Sequence, residues 1–415
     1  MELKETIRKD GLRIISAGIP TERKVYVTVT CMAGFAYDPE DKSGLSHFFE
    51  HMAFKGTKKR SARDIAEFKA KNFLGSNAST ARLSVDYYGT GVARKLPLMV
   101  DFLCDIYLNS TYPAKELQKE KNAVLLERAR NYDEDYYLAH RAIRESLWRV
   151  NPMRREGVGT EEGMKNISRK DLLELKGKWH IPANTLVFAA GKLAHAELVK
   201  IVNKNFPMKR GELRHEKWDE ELDLPPMTER VEIKKPKRNK AIVMMAAKIP
   251  FDISDKDDAA SSLLGRLLMI GGNSRLYREI REKRGLAYAV GGSVSSAAGL
   301  GSYIYFYAET KPGNVSKVEA LMKRLINIPL TDKKAFADAR ERALDAVSLE
   351  DDNDLGVWEG FVWERLMTGK TLKDVPGVYK KMKRYLEKSR LADAEALRAK
   401  YLKPERFVTV IVSPE

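Results

Sequence analysis

The sequence predicts an α+β protein made of two homologous halves. Segments rich in β-branched residues, typical of strands, alternate along the chain with longer segments of helical periodicity. The order of these segments starts again after residues 209–228, a polar and charged stretch that includes a Pro-Pro pair and predicts a linker. We therefore expect one domain over residues 1–208 and a homologous domain over residues 229–415.

Strand-like and helix-like segments follow a similar order in the two halves. In the first half, strands are predicted at 25–37, 82–92 and 184–191, and helices around 44–57 and at 60–72, 95–109, 114–148 and 195–206. In the second half, strands are predicted at 239–252, 300–310 and 406–414, and helices at 255–270, 332–354 and 358–367.

The ends of the two halves can be aligned residue by residue. Residues 168–191 match residues 390–413, with Asp171 aligned to Asp393 and Pro182 to Pro404. A match of this kind indicates a distant internal duplication.

Composition narrows the class of protein. A chain of 415 residues with 43% hydrophobic and 32% charged residues is typical of a globular protein with two domains. No apolar run approaches the length of a membrane span, and the first residues lack the pattern of a signal peptide. Two cysteines do not make a disulfide framework, so we expect a cytoplasmic protein without a membrane partner.

The net charge of +16 is the one unusual bulk property. Basic clusters at 55–63, 234–240 and 380–390 are open to two interpretations, attraction to nucleic acid or acidic peptides and, more simply, solvated helix faces and a charged linker. No nucleic-acid-binding motif accompanies them, so we expect no specific nucleic-acid partner.

The segment HFFEH places two of the six histidines, His47 and His51, four residues apart. On an α-helix such residues lie one above the other, so both imidazoles can reach one metal ion. Glu50 falls on the same arc of the helix and is suited to accept a proton from a water at the metal rather than to bind the metal. The arrangement is the inverted form of the His-Glu-x-x-His motif of zinc proteases. Packing or chance also places histidines in pairs, so the motif alone is suggestive.

A catalytic zinc usually has three protein ligands, so the chain must supply another. Glu120 and Glu127 are seven residues apart in the helical segment 114–148 and project from nearly the same face. A partly buried carboxylate is costly without a cation, and zinc is one such cation. The alternative is a solvated face on which these carboxylates pair with nearby lysines and arginines, and the helix alone favours that alternative.

The duplication supports a chemical role for the cluster. Aligning Gly56 with Gly271 places Ser262, Gly265 and Arg266 where the first half has its two histidines and Glu50. A purely structural requirement would be expected in both copies, and the second copy lacks it.

The stretch GLSHFFEHMAFKGTKKRSARDIAEF resembles the opening of the insulinase/pitrilysin family of zinc metallopeptidases, which are inverted zincins. The resemblance is to the half-length branch that includes the mitochondrial processing peptidase β subunit. It implies His47, His51 and Glu127 as ligands of one Zn²⁺ per chain and Glu50 as the general base. It also implies that Glu120 orients a ligand histidine.

The resemblance extends over the rest of the chain. Residues 77–89 are similar to the family's strand beside the zinc, which implies that Asn77 and Ala78 bind substrate backbone by strand addition. The family's Arg and Tyr pair, which holds the substrate or its oxyanion, maps onto Arg281 and Tyr288. Two loops, NPMRREGVGT and IGGNSRL, depart from the family pattern and affect the expected substrate preference.

The function implied is a zinc-dependent endopeptidase that cleaves unfolded peptides inside a closed chamber. The fold implied is two homologous repeats, each an antiparallel-rich β-sheet packed with helices. A chain of this length supplies half of a clamshell, so we expect a homodimer in which Arg281 and Tyr288 of one subunit complete the zinc site of the other. Two alternatives stay open, a non-catalytic assembly or core-type subunit of the same fold and a nucleic-acid binder.

Overall fold

Two β-sheets organise the protein, one built from strands before the predicted linker and one from strands after it. The structure is a computed structural model that describes residues 1–209, 211–212, 216–250, 256–349 and 355–415. Its strands are β1 (Glu2–Ile7), β2 (Arg13–Gly18), β3 (Lys24–Cys31), β4 (Gly75–Thr80), β5 (Val85–Val92), β6 (Thr185–Gly191), β7 (Arg230–Lys235), β8 (Ala241–Lys248), β9 (Ala287–Ala297), β10 (Gly301–Thr310) and β11 (Val408–Pro414).

The sheets confirm the internal duplication. The first has the order β1-β2-β6-β3-β5-β4 and the second the order β7-β11-β8-β10-β9. Omitting β1, the five remaining positions correspond one to one. In both sheets the first pair of this shared order, β2 with β6 and β7 with β11, is parallel, and the other pairs are antiparallel. The expectation of two antiparallel-rich repeats is therefore confirmed.

Helices cover both sheets. They are α1 (Leu45–Ala53), α2 (Ala62–Asn72), α3 (Leu96–Asn109), α4 (Ala114–Asp133), α5 (Asp135–Leu147), α6 (Glu161–Asn166), α7 (Arg169–Trp179), α8 (His195–Asn205), α9 (Lys256–Leu268), α10 (Val315–Asn327), α11 (Lys333–Leu349), α12 (Val357–Met367), α13 (Val378–Lys388) and α14 (Leu391–Tyr401). Within the described ranges, none of the helices combines the length and the apolar character that crossing a bilayer requires.

The aligned ends of the two halves have the same local structure. Helix α7 begins with a capping box between Ser168 and Asp171, and α14 begins with one between Arg390 and Asp393. In each, the carboxylate accepts a hydrogen bond from the backbone N–H of the capping residue, which satisfies a donor that the helix leaves unpaired. Each helix is followed by a short 3-10 turn that starts with proline and then by a buried strand.

The prediction of one helix over 114–148 is wrong, because the helix ends at Asp133 and a new one begins at Asp135. Glu134 between them has extended backbone angles. Arg238, from the second half, donates to Asp135 Oδ1 over 2.9 Å and to Asp133 Oδ1 over 2.8 Å, which ties the two sides of the break together. The change of direction lets α5 bury residues such as Ile143 against the other sheet.

The halves exchange helices. Helix α5 packs on β11 and β8 of the second sheet, whereas α12 of the second half packs on β6 of the first. As a result one hydrophobic cluster joins Phe188 of the first sheet to Leu263 and Trp358 of the second half. Another joins Ile143 to Met244 and its sheet neighbours. The two homologous units are thus interlocked through shared cores.

The described part of the segment predicted as a linker is largely exposed, but Trp218 and Glu221 anchor it to the rest of the protein. Glu221 is 5% exposed, and its carboxylate accepts hydrogen bonds from the backbone N–H groups of Arg149, Val150 and Asn151 over 2.7 to 3.0 Å. Trp218 lies 5.1 Å, ring to ring, from Tyr37. Residues 210 and 213–215 lie outside the described residues.

Boundaries of several predicted strands differ from the structure. The strand predicted at 25–37 ends at Cys31 and is followed by a 3-10 turn, Phe35–Tyr37. The strand predicted at 82–92 begins at Val85, because residues 81–84 form the turn from β4. Residues 251–252 and 350–354, which belong to a predicted strand and a predicted helix, lie outside the described residues.

Candidate metal centre

Helix α1 carries the two histidines and Glu50, and its start is firmly held. Gly44 precedes it with a φ of 95°, a conformation that glycine adopts without strain. The Asp38 carboxylate accepts from the Ser46 hydroxyl over 2.6 Å and from the backbone N–H groups of Gly44 and Ser46. Burial raises the pKa of Asp38 to about 7, despite these hydrogen bonds, which favour its ionised form.

The amphipathic character of α1 decides which side chains face the site. Phe48, Phe49 and Met52 are fully buried in a cluster with Val124 of α4. With these side chains in the core, His47 and His51 project along the neighbouring face of the helix toward α4. Packing between α1 and α4 therefore sets the register in which the histidines meet the carboxylates.

Helix α4 supplies Glu120 and Glu127 from two turns of one face. Glu120 is 6% exposed, whereas the side chain of Glu127 is 31% exposed. Leu126, beside Glu127, is 69% exposed, whereas Glu127 contacts His47 and His51 of α1. The alternative that α4 presents only a solvated face is therefore wrong for Glu120, which is buried, and correct for exposed residues such as Leu126.

His47, His51 and Glu127 converge. The Nε2 atom of His47 lies 3.7 Å from Glu127 Oε1, and Nε2 of His51 lies 3.5 Å from Glu127 Oε2. One ligand atom from each of the three lies within 4.8 Å of the others. In the part of the chain that the structure describes, this is the one group of three or more His, Cys, Asp or Glu side chains arranged to hold a metal ion.

The donor set fits zinc. Two imidazole nitrogens and one carboxylate are the ligands of a known class of catalytic zinc sites, which keep a further position open. Burial lowers the pKa of His47 to about 4, so its imidazole is neutral near pH 7 and a nitrogen lone pair is available to a metal. These residues would hold the ion, and their role as ligands stays a prediction.

Glu50 lies beside this group without being part of it. Its Oε2 atom accepts a hydrogen bond from the Thr80 hydroxyl over 3.3 Å, and Thr80 is the last residue of β4. Burial raises the pKa of Glu50, which makes the carboxylate a better proton acceptor than an exposed one. The sequence analysis did not single out Thr80.

Glu120 contacts His51 from the other side of its ring. Its Oε1 atom lies 3.0 Å from His51 Nδ1, and its Oε2 atom lies 2.6 Å from the ammonium of Lys55. Sequence reasoning placed Lys55 only in a basic cluster and missed this contact. The available signal was its spacing, because Lys55 follows His51 by four residues, as His51 follows His47.

Strand β4, with Asn77 and Ala78, forms the edge of the first sheet nearest to α1. It pairs with β5 on one side, with Asn77 opposite Tyr88 and Ala78 opposite Tyr87. Within the described residues its other edge has no strand partner. An edge of this kind offers backbone groups to an extended peptide. Substrate binding by Asn77 and Ala78 remains a prediction.

Arg281 and Tyr288 lie in the second half and are both exposed. Arg281 belongs to a π-helical segment, Tyr277–Glu282, and its guanidinium lies 5.1 Å above the Tyr277 ring. Tyr288 is in the edge strand β9 and is 55% exposed. Among the described residues, no hydrogen bond, ion pair or ring contact joins either side chain to His47, His51 or Glu127. Their role in holding substrate therefore stays a prediction.

A duplicated α+β fold with His-x-x-Glu-His on a helix and a carboxylate from a second helix is that of a zinc-peptidase type of protein. A family model described as "Insulinase (Peptidase family M16)" matches residues 13–161, and one described as "Peptidase M16 inactive domain" matches residues 166–331. The chain belongs to this insulinase family.

Relatives and solved structures agree with this assignment. The chain is 29% identical over 327 residues to an uncharacterized zinc protease of Streptomyces coelicolor, a match that covers 76% of this chain and 69% of the relative. It is 33% identical over 209 residues to the mitochondrial-processing peptidase subunit beta of Rattus norvegicus, covering 49% of this chain and 42% of that protein. A crystal structure of a protease from Helicobacter pylori, 20% identical, has the same fold, with a TM-score of 0.83 over 100% of this chain and 99% of the other.

Proposed function

We propose that this protein is a zinc-dependent endopeptidase that cleaves unfolded peptides. The observation that carries the proposal is the convergence of His47, His51 and Glu127 beside Glu50. Membership of a family that includes named zinc proteases supports it. His47, His51 and Glu127 would hold one zinc ion per chain. Zinc, when bound, makes a water molecule more acidic and polarises a peptide carbonyl.

Glu50 acts as the general base and acid. It accepts the proton of the attacking water and later delivers it to the departing amine, so the carboxylate ends the cycle as it began. Its partial burial supports this role, because a desolvated carboxylate holds a proton more readily than an exposed one. The hydrogen bond from Thr80 orients the carboxylate and couples it to the end of β4.

The substrate would lie as an added strand along the edge of β4. Strand β4 ends at Thr80, which contacts Glu50, so a peptide paired with Asn77 and Ala78 runs past the general base. This mode of binding requires an extended peptide and excludes a folded one. It is the reason for proposing unfolded peptides as the substrate class.

The site would be completed by a second copy of the chain. Arg281 and Tyr288 are exposed and have no contact, in the described structure, with the metal-site residues of their own chain. In a homodimer these two side chains of one subunit would face the site of the other, where they would grip the peptide or stabilise its oxyanion. Two subunits closed over one another would form the chamber.

The test is the variant Glu50→Gln, compared with Glu67→Gln as a matched control on an exposed helix face. Glu50→Gln should keep one zinc per chain and lose hydrolysis of an unstructured peptide library by at least about 10³-fold, because the proton acceptor is removed. Glu67→Gln should match the wild type in both zinc content and peptide hydrolysis.

Full activity of a metal-verified Glu50→Gln sample would remove Glu50 from its role. A wild-type protein that binds zinc and hydrolyses no peptide in the library would instead be a non-catalytic subunit of this fold.

A further inference from the structure

Lys55 lies one helical turn beyond His51 and contacts a residue of the candidate metal centre. It follows the last turn of α1, where its backbone N–H donates to the Met52 carbonyl over 3.2 Å. Its ammonium lies 2.6 Å from Glu120 Oε2, and its side chain is 27% exposed. His47 and His51 thus occupy successive turns of α1, and Lys55 lies in the turn that follows the helix.

Side chains of α1 and α4 alternate along this face. From one end, the contacts run from His47 to Glu127 over 3.7 Å and from Glu127 to His51 over 3.5 Å. They continue from His51 to Glu120 over 3.0 Å and from Glu120 to Lys55 over 2.6 Å. Glu127 lies between His47 and His51, and Glu120 lies between His51 and Lys55. Lys55 is the terminal cation of this row.

The position of Glu120 explains why a terminal cation matters. Glu120 is 6% exposed, and a buried carboxylate left with an unpaired oxygen is costly. One oxygen contacts His51 Nδ1 and the other contacts Lys55. Without the ammonium, the carboxylate would gain by turning toward solvent or toward another donor, and the contact with His51 would weaken.

The contact with His51 sets the orientation of its ring. A histidine that donates Nδ1–H to a carboxylate presents the lone pair of Nε2 to a metal, and the same contact holds the ring in place. Nε2 of His51 is the atom that faces Glu127. An interaction that steadies Glu120 therefore steadies a predicted metal ligand.

The second half supports the link between Lys55 and the metal centre. With Gly56 aligned to Gly271, the position of Lys55 is occupied by Ile270. The copy that lacks the histidines therefore also lacks the lysine. The helix end itself does not need a lysine at this place.

We propose that Lys55 is a positioning residue of the metal centre, which acts through Glu120 to hold His51 in its metal-binding orientation. The inference rests on the proposed function, because it assumes that His47, His51 and Glu127 hold zinc. Lys55 itself contacts neither the metal position nor, by this proposal, the substrate.

The test measures zinc affinity by competition with a chromogenic chelator, independently of activity. Lys55→Met keeps the aliphatic stem and removes the charge, Lys55→Arg restores a cation, and Lys58→Met is the matched control on an exposed lysine three residues away. Lys55→Met should bind zinc about 10- to 100-fold more weakly than the wild type. Lys55→Arg should recover most of this loss, and Lys58→Met should show none.

A second measurement separates positioning from a general effect on folding. If Lys55 acts through Glu120, adding Lys55→Met to Glu120→Gln should weaken zinc binding by less than about twofold further. Independent, additive losses would overturn the proposal. Should Lys55→Met fail to fold, Lys55→Gln replaces it in the same pair of measurements.

The outcomes distinguish this inference from the proposed function. Wild-type zinc affinity in Lys55→Met, with zinc binding and peptide cleavage intact in the wild type, overturns only the role of Lys55. A wild-type protein that binds no zinc overturns both, since there is then no metal ligand to position.

Discussion

Tyr26 of β3 donates a hydrogen bond to Glu359 of α12 over 2.5 Å, across 333 residues of sequence. The Thr30 hydroxyl lies 3.3 Å from the other oxygen of Glu359 and 2.7 Å from the Asp86 carboxylate. Helix α12 thus places the Glu359 carboxyl group close to the Asp86 carboxyl group of the first sheet. Burial, and then the nearby Asp86, raise the pKa of Glu359 to about 8.

The raised pKa of Glu359 predicts a pH-dependent stability. An unfolded glutamate ionises near its ordinary value of 4.5, whereas the folded one keeps its proton to about 8. Between these values the folded state binds more protons, so this group's contribution to stability falls as pH rises. Glu359→Gln removes the titration, so its stability relative to the wild type should increase by about 1–3 kcal/mol from pH 5 to pH 8.

Urea unfolding of both proteins at several pH values between 5 and 8 measures this difference. Comparing variant with wild type cancels the opposite trend from buried histidines such as His140, whose pKa burial lowers to about 4. Glu405→Gln, at an exposed position, is the control. A difference between Glu359→Gln and wild type that does not change with pH would contradict the prediction.

Gly159 allows the loop at 151–160 to approach the start of α1 closely, because it has no Cβ atom. It has a φ of +73°, and a Cβ atom at this position would lie 2.2 Å from the Ser43 carbonyl oxygen. Gly159→Ala should therefore destabilise the protein by at least about 2 kcal/mol and displace the helix that carries the histidines. Thermal unfolding and zinc affinity should both report the change.

Gly177 in α7 is the matched control for that variant. A Cβ atom there would meet nothing within 4 Å, and alanine is a better helix former, so Gly177→Ala should stabilise the protein by about 0.5–1 kcal/mol. Equal stabilities of Gly159→Ala and Gly177→Ala would show that the close approach is not tight.

Zinc should raise the thermal stability of the protein through His47, His51 and Glu127. A ligand that binds only the folded state adds about 2.7 kcal/mol at a concentration 100 times its Kd. Removing metal with a chelator should lower the melting temperature, and returning zinc should restore it. Differential scanning fluorimetry of Glu127→Gln should show no such response, and an unchanged response would exclude Glu127 as a ligand.

The dimer proposal predicts complementation between inactive variants. Glu50→Gln mixed with an equal amount of Arg281→Ala should recover about a quarter of wild-type peptidase activity, because half of the dimers would be mixed and each would hold one intact site. Subunit exchange is verified by native mass spectrometry. With exchange verified, no gain over the separate variants would argue against a site shared between subunits.

The residues of the candidate metal centre could be singled out from sequence because their spacings are local, and their role as ligands stays a prediction. Residues four or seven apart share a face of an α-helix in any fold. The sequence therefore shows that His47 and His51 can act together, and that Glu120 and Glu127 can also act together. The pairing of the two helices came from the family resemblance. Lys55 was missed because a lysine in a basic run looks the same whether it meets solvent or a buried carboxylate 65 residues away in sequence.

Edge strands were hard to predict for a different physical reason. Strand β1 is largely exposed and lacks the apolar alternation that marks a strand in sequence. Strand β7 alternates Val231 and Ile233 with charged residues, but it is short and none of its residues is fully buried, so its sequence signal is weak. Their strand geometry comes from hydrogen bonds to β2 and β11, which lie elsewhere in the chain. Buried strands such as β6 and β11 were recognised directly.

The sequence by itself determined the duplication, most helices and central strands, and the face on which the histidines lie, because these follow from short-range spacing and side-chain chemistry. Only the tertiary structure decided that the chain breaks at Glu134, that α5 and α12 cross to the opposite sheets, and that Lys55 reaches Glu120. These features depend on which distant surfaces bury one another, and the free energy of that burial is a property of contacts between segments rather than of either segment alone.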